Sequence, residues 1–352
     1  MKAAIWYGPG RENFLLEDVP IPIVEEPSDI IVRVHSVFYG AKVVRAITKG
    51  HPELKSPTIM GRMIAGEIVD VGSSIQTLRK GDRVTIDPNA VCGVCYYCRN
   101  LEPVHCTAKT SFYPGGMAEY TRIRGNLIAG VYTIPSHVSC DEAAFTETLT
   151  CVAYGLLKAD VIYGDTVVIL GCGGVGLVHI PMAYLRGAAK VILSGTHTNA
   201  LEIACQYGAQ PVNTNTEDLA TIVQKASNGR GADVVIEAVG KRETYEQAMR
   251  LVRPGGSIIA FGGCPPGTLV NLSPNDIHYQ SLKVIGSYHY TPGLFQRVLA
   301  LISHGLINLK PILTHHLPLS RISEAIDIYT RPDCRTLVLH PTEYEPSRIL
   351  NS

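Results

Sequence analysis

The most constraining feature of this chain is a run of glycines placed between a strand signal and a helix signal. The apolar segment Thr166-Val167-Val168-Ile169-Leu170 leads directly into Gly171-Cys172-Gly173-Gly174-Val175-Gly176, and a helix-forming stretch follows to Arg186. In such a strand, turn and helix the first glycine makes the tight turn, the second lets backbone approach a pyrophosphate, and the third lets helix pack on strand. The helix amino terminus then faces the phosphates with unpaired N–H groups. Gly171, Gly173, Gly174, Val175 and Gly176 are therefore expected to hold a dinucleotide; the rival reading is a glycine turn without one. Further strand-like segments at 190–194, 233–237 and 257–261 alternate with helical stretches, a pattern that builds a parallel sheet.

Residues 1–137 read differently, as short strands at 30–35, 63–71 and 83–86 with frequent Pro and Gly between them. Within this β-rich region, Cys92, Cys95, Cys98 and Cys106 stand at the spacing C-x2-C-x2-C-x7-C on an irregular excursion at 88–110. Four thiolates make a closed tetrahedral zinc site, whereas a catalytic zinc leaves one position open. The quartet predicts one structural zinc ion that holds a lobe with little apolar periodicity of its own. Two disulfides are the alternative, but the remaining cysteines, Cys140, Cys151, Cys172, Cys205, Cys264 and Cys334, are scattered as in a reducing compartment.

A length of 352 residues suggests two domains, and 31 basic against 31 acidic side chains give no global field for nucleic acid. The longest apolar stretch, 167–185, is interrupted by glycines, His179 and Pro181, which argues against a membrane span. The amino terminus lacks the apolar core of a secretory signal. A soluble, cytoplasmic protein acting on a small molecule, with neither nucleic acid nor membrane as partner, is the expectation.

The second strand of the alternating region, 190–194, would carry an acid at its end to hold the ribose 2′-OH of NAD. Ser194 is instead followed by Gly195-Thr196-His197. An acid there would repel a 2′-phosphate; an open backbone, a hydroxyl and an imidazole accommodate one, so NADPH is expected over NADH. The alternative is a solvated turn with the adenosine held elsewhere.

The cysteine quartet, the glycine fingerprint and their order resemble the zinc-containing medium-chain dehydrogenase/reductases, which include alcohol and polyol dehydrogenases. Gly66-Glu-Ile-Val-Asp-Val-Gly72, Lys80-Gly-Asp-Arg-Val84, Gly115-Gly-Met-Ala-Glu-Tyr120 and Leu251-Val-Arg-Pro-Gly-Gly256 extend the resemblance over almost the whole chain. It implies an α/β protein with a GroES-like β-rich catalytic domain at 1–137, a Rossmann domain with a doubly wound parallel sheet at 138–284, and a return of 285–352 to the catalytic domain. It also implies a dimer or tetramer, and cofactor contacts from Ala238, Val239, Gly262, Gly263, Ser287 and Arg335, any of which could equally be a turn glycine or a surface charge.

The chain departs from the family pattern at the catalytic metal. The usual Cys-Gly-Thr/Ser-Asp aligns with Tyr39-Gly40-Ala41-Lys42 and the usual Gly-His-Glu with Gly61-Arg62-Met63, while Glu147 resembles a later acidic ligand. Phenol and guanidinium do not replace thiolate and imidazole as zinc ligands, so no catalytic zinc is expected. A site rebuilt from His35, His51 or His105 would need those residues to converge from unrelated places. Arg62 or Lys42 is the expected partner of Glu147, a side-chain cation standing where a metal cation stood. Tyr39 is then a candidate acid or oxyanion donor, its pKa lowered by Lys42 or Arg62; the plain alternative is that it fills the vacated pocket. Tyr113, His289 and Tyr290 are weaker candidates for a substrate wall, and Arg45 for an anion clamp or a solvated charge. The expected activity is hydride transfer to a conjugated C=C or C=O group, with ketone or imine chemistry as a further possibility and a nucleotide-sensing protein with a decayed site as the rival class.

Overall fold

The computed structural model describes residues 1–50, 54–111 and 115–342; His51, Tyr113 and the last ten residues lie outside the described residues. The chain divides into two units, one of Met1–Glu147 with Thr291–Ser352 and one of Thr148–Tyr290.

The first unit begins with β1 (Lys2–Trp6), β2 (Phe14–Asp18) and β4 (Thr58–Ile59), a small antiparallel sheet in the order β2-β1-β4. Its main sheet is organised on the long strand β3 (Ile30–Tyr39), whose Ile30, Ile31, Val32, Val34, Val37 and Phe38 are all buried. β-Branched residues suit this pleated, packed surface. Helix α1 (Ala41–Lys49) follows, then β5 (Ile64–Val71), β6 (Arg83–Ile86), β9 (Tyr120–Ile123) and β10 (Val131–Thr133). The short strands β7 (Asn89–Ala90) and β8 (Thr110–Ser111) pair antiparallel and enclose the cysteine excursion, which carries helix α2 (Tyr96–Arg99).

Helix α3 (Cys140–Ala144) opens with a capping box in which Ser139 and Glu142 bond each other's backbone N–H. It is fastened to the β-rich unit: Ser36 Oγ donates to Asp141 Oδ1 at 2.5 Å and Thr85 Oγ1 to the Ala143 carbonyl at 3.0 Å. These bonds carry the first unit on to Glu147, past the boundary expected at 137, and helix α4 (Thr146–Ala159) leads into the second.

The second unit is a parallel six-stranded sheet of β11 (Thr166–Leu170), β12 (Lys190–Gly195), β13 (Gln210–Asn213), β14 (Ala232–Glu237), β15 (Val252–Ala260) and β16 (Lys283–Gly286). The order β13-β12-β11-β14-β15-β16 places the reversal of winding between β11 and β14, where nucleotide sites form beyond the strand carboxyl ends. All five residues of β11 are buried, the continuous apolar run expected of a central parallel strand. Helix α5 (Gly174–Leu185) starts from the glycine loop.

The chain then returns to the first unit as β17 (His315–Pro318) and β18 (Leu337–His340). β18 runs antiparallel to β3, completing the seven-stranded sheet in the order β10-β6-β5-β3-β18-β17 with β9 also paired to β3. Among the described residues no helix is long and apolar enough to cross a membrane.

Candidate functional site

The glycine loop has the geometry its spacing demands. Gly171 has φ 112°, a conformation that L side chains rarely adopt, and a Cβ on Gly176 would sit 1.9 Å from the Gly171 carbonyl oxygen. Gly173, by contrast, would bring a Cβ into open space, so its face of the backbone is accessible. It is the N-cap of α5 and supplies no side-chain cap, which leaves the first-turn N–H groups for a ligand. Gly174 and Val175 belong to that turn.

At the end of β12, Ser194 is buried and its hydroxyl donates to the Ile169 carbonyl at 3.3 Å within the sheet. Gly195 has a packing reason for its missing side chain: a Cβ there would stand 2.2 Å from Cys172 Sγ. Thr196 and His197 follow, exposed.

The loop after β14 is shaped by Glu237, a residue outside the expected site set. Fully buried, its carboxylate accepts from the N–H of Val239 and of Gly240, both at 2.9 Å, and from Thr244 Oγ1 at 2.7 Å. These bonds wrap Ala238, Val239 and Gly240 round the strand end; the sequence signal is an acid closing an apolar run just before a glycine. A Cβ on Gly262 would lie 2.3 Å from Gly240 N, whereas Gly263 is open. After β16, the Ser287 hydroxyl is buried with no hydrogen-bond partner among the described residues. Open backbone at Gly173 and Gly263 and an orphaned hydroxyl at Ser287 fit a dinucleotide lying along the strand ends. Arg335 belongs to the first unit, where it is buried and its backbone N–H donates to Thr314 Oγ1 at 2.9 Å.

The four cysteines converge. Their sulfurs all lie within 4.8 Å of one another, with Cys92 Sγ 3.5 Å from Cys106 Sγ and 4.0 Å from Cys98 Sγ. Tetrahedral Zn–S bonds of about 2.3 Å would space the sulfurs at roughly 3.8 Å, so the quartet fits zinc. Backbone N–H groups point at the sulfurs, from Cys92 to Cys106 and from Cys95 to Cys92, each at 3.3 Å. Backbone N–H bonds from Cys98 and Thr107 bring the Cys95 thiol down to about 6, while burial pushes Cys98 up to about 12. A dication resolves that disparity by favouring thiolate at every position.

Arg62 and Glu147 also meet. Both are buried, at 8% and 6% exposure, and Arg62 Nη2 donates to Glu147 Oε1 at 3.0 Å and to Asn89 Oδ1 at 3.2 Å. Asn89 in turn donates through its backbone and side-chain nitrogens to Asp87 Oδ1 at 2.9 and 3.2 Å. Asn89 and Asp87, absent from the expected set, thus orient the guanidinium from behind.

Comparison with known proteins agrees with this anatomy. Residues 26–135 match the alcohol dehydrogenase GroES-like domain, and residues 174–304 match the zinc-binding dehydrogenase family. An uncharacterized zinc-type alcohol dehydrogenase-like protein of Bacillus subtilis (strain 168) is 30% identical, over 97% of this chain and 100% of its own length. This chain belongs to the zinc-type alcohol dehydrogenase-like, medium-chain dehydrogenase/reductase family. Among solved structures, alcohol dehydrogenase TADH from Thermus sp. ATN1 superposes with a TM-score of 0.86 at 26% identity, over 97% of this chain and 99% of that one. A candidate zinc-binding dehydrogenase from Sinorhizobium meliloti 1021, bound to NADP, gives 0.87 at 29% identity over the same shares.

As a medium-chain dehydrogenase/reductase, the protein is an NAD(P)-dependent oxidoreductase. One expectation for its chemistry is corrected by the structure. Tyr39 is 1% exposed in the apolar core of the first unit, opposite Leu337 of β18 and edge-on to Tyr329 at 5.9 Å. Burial pushes its phenol pKa up, against the opposing pull of Arg11, and neither Lys42 nor Arg62 acts on it. Lys42 is exposed on the first turn of α1. The chain therefore brings Arg62 and Glu147 together but joins neither Tyr39 nor Lys42 to them.

Proposed function

We propose that this oxidoreductase is an NADPH-dependent reductase that delivers hydride to a conjugated C=C or C=O group without a metal at the reaction centre, with a structural zinc held by Cys92, Cys95, Cys98 and Cys106. The observation that carries the metal-free reading is the buried ion pair of Arg62 with Glu147 at 3.0 Å. Two of its relatives' metal ligands are implied at these positions, and a guanidinium has five N–H donors and no lone pair for a metal. Its fixed positive charge balances the carboxylate as a dication would.

NADPH supplies the hydride when bound. The open backbone at Gly173 and the first turn of α5 take the pyrophosphate. Gly195, Thr196 and His197 offer no carboxylate against a 2′-phosphate, and the NADP bound to the S. meliloti relative supports that choice. Val239 and Ser287 line the strand ends along which the nicotinamide half runs. Arg62, braced by Glu147 and Asn89, supplies a preorganised cation for the negative charge that develops on the substrate oxygen. A proton from water completes the two-electron reduction. Tyr39 is assigned to packing.

The test pairs cofactor kinetics with metal analysis. NADPH is expected to exceed NADH in kcat/KM by at least about tenfold, roughly 1.4 kcal/mol, on a panel of enones and ketones. Preference for NADH would overturn the cofactor half. A zinc ion that is lost in Glu147→Gln together with turnover would overturn the metal-free half.

A further inference from the structure

A second cluster of metal-ligating side chains lies in the first unit, away from Arg62 and from the cysteines. Asp141 on α3, His316 on β17 and His340 on β18 place one ligand atom each within 4.8 Å of one another. His316 Nδ1 stands 3.1 Å from His340 Nε2 and 3.4 Å from Asp141 Oδ2, and His340 Nε2 stands 3.9 Å from Asp141 Oδ1. Bonds of about 2.0–2.2 Å at tetrahedral angles would space N and O donors at roughly 3.3–3.6 Å, so small adjustments suffice to seat an ion.

Outer contacts aim these ligands. His340 Nδ1 lies 3.1 Å from the His35 carbonyl oxygen. A carbonyl only accepts, so Nδ1 carries the proton and Nε2 turns its lone pair toward the cluster. Ser36 Oγ donates to Asp141 Oδ1 at 2.5 Å and holds the carboxylate. A histidine anchored through its far nitrogen and a carboxylate anchored by a hydroxyl form the outer pattern of protein metal sites. The Asp141 and His340 side chains are each 8% exposed and that of His316 is 19% exposed, which gives an ion access past His316.

We propose that Asp141, His316 and His340 bind a divalent transition-metal ion of the zinc class. Two imidazoles and one carboxylate suit borderline ions over calcium or magnesium. The ion clips the two stretches of the first unit together: Asp141 comes from the amino-terminal stretch, His316 and His340 from the returning stretch, and the whole second unit lies between them in sequence. A cross-link over so long a loop removes closure entropy from the unfolded chain.

Titration of the dialysed full chain with Co²⁺ and Zn²⁺ tests this. About two equivalents are expected, the first with thiolate charge-transfer bands from the cysteines and the second with weak visible bands alone. The second should vanish in His316→Gln, whose partly exposed side chain makes it the safer variant, and in His340→Gln; added Zn²⁺ should raise Tm in wild type and not in His316→Gln. The wild-type cobalt spectrum stands whether or not a variant folds. A single equivalent at saturating Co²⁺, Ni²⁺ and Zn²⁺ would overturn the inference, leaving a bare Asp–His–His hydrogen-bond network and the metal-free reading intact. A second equivalent that survives His316→Gln and is lost in Glu147→Gln would overturn both.

Discussion

At the cysteine excursion, four side chains close together in sequence converge on a point where a dication belongs; at Arg62 and Glu147, two side chains far apart in sequence meet with a cation already covalently in place. Both sites manage charge taken out of water, and they differ in where the compensating charge comes from. An imported ion leaves the ligand set incomplete without it, whereas a built-in guanidinium makes the site self-sufficient. The first arrangement should be fragile to loss of any thiolate, and the second only to loss of one member of the pair.

The sharpest break is expected at the cysteines. Structural thiolate sites bind zinc with apparent free energies of about 10–16 kcal/mol in small zinc peptides, so loss of one ligand forfeits more than any other single change considered. Cys95→Ser should lose its stoichiometric zinc by elemental analysis, and limited proteolysis should then cut within 92–106. Retention of zinc and of protease resistance would mean that the quartet is not a closed site.

The ion pair should respond asymmetrically. Removing one partner of a buried pair costs about 3–5 kcal/mol, whereas replacing both with apolar groups is close to neutral. Arg62→Met should therefore lower stability in urea by about that amount, and adding Glu147→Leu should recover most of it while turnover stays lost. If the double variant is no more stable than Arg62→Met, Glu147 is compensated by something other than the guanidinium.

The contrast also explains what could be read in the sequence. The glycine loop, the quartet and the strand pattern are local, so residue type and spacing carry them; Gly171, Gly173 and Gly176 each have the backbone reason that the motif assigns. The Arg62–Glu147 partnership came within reach through the family resemblance, which implies that these two positions converge. The expected lowering of the Tyr39 pKa failed because its neighbours, Tyr329 and Leu337, come from the returning stretch, which no local pattern places beside β3. Asp141, His316 and His340 were silent for the same reason. Gly195 shows a further limit: the charge argument drew on a missing acid, while the packing against Cys172 Sγ is visible only in three dimensions.

A third arrangement, in the second unit, has no compensating charge at all. His179 on α5 is fully buried, with Nδ1 2.8 Å from the Val175 carbonyl, its ring edge-on to Phe261 at 4.7 Å, and Nε2 without a hydrogen-bond partner among the described residues. Burial, partly offset by that carbonyl, brings its pKa from 6.5 down to about 4. The folded chain holds this ring neutral while the unfolded chain protonates it, so its contribution is fully present above about 6.5 and falls as pH drops toward 4. The loss should be on the order of 3 kcal/mol at the acid end. Urea unfolding at pH 7 and pH 4.5 should show it, and His179→Leu should flatten that limb; an unchanged acid limb would place the titration elsewhere.

The smallest effect is expected at Tyr39, where no charge is buried and the side chain packs as an aromatic ring. Tyr39→Phe keeps the ring that meets Tyr329 and removes only a hydroxyl whose proton burial holds in place. Loss of one hydroxyl with the ring conserved should change stability by no more than about 1 kcal/mol. Turnover with NADPH should stay within about threefold of wild type across enones and ketones, since that factor is under 1 kcal/mol of transition-state stabilisation. A fall of about a hundredfold or more in kcat with KM unchanged would instead mark Tyr39 as the proton donor, because general-acid groups contribute about that much. The charge supplied by Arg62 would then be one part of a two-part site.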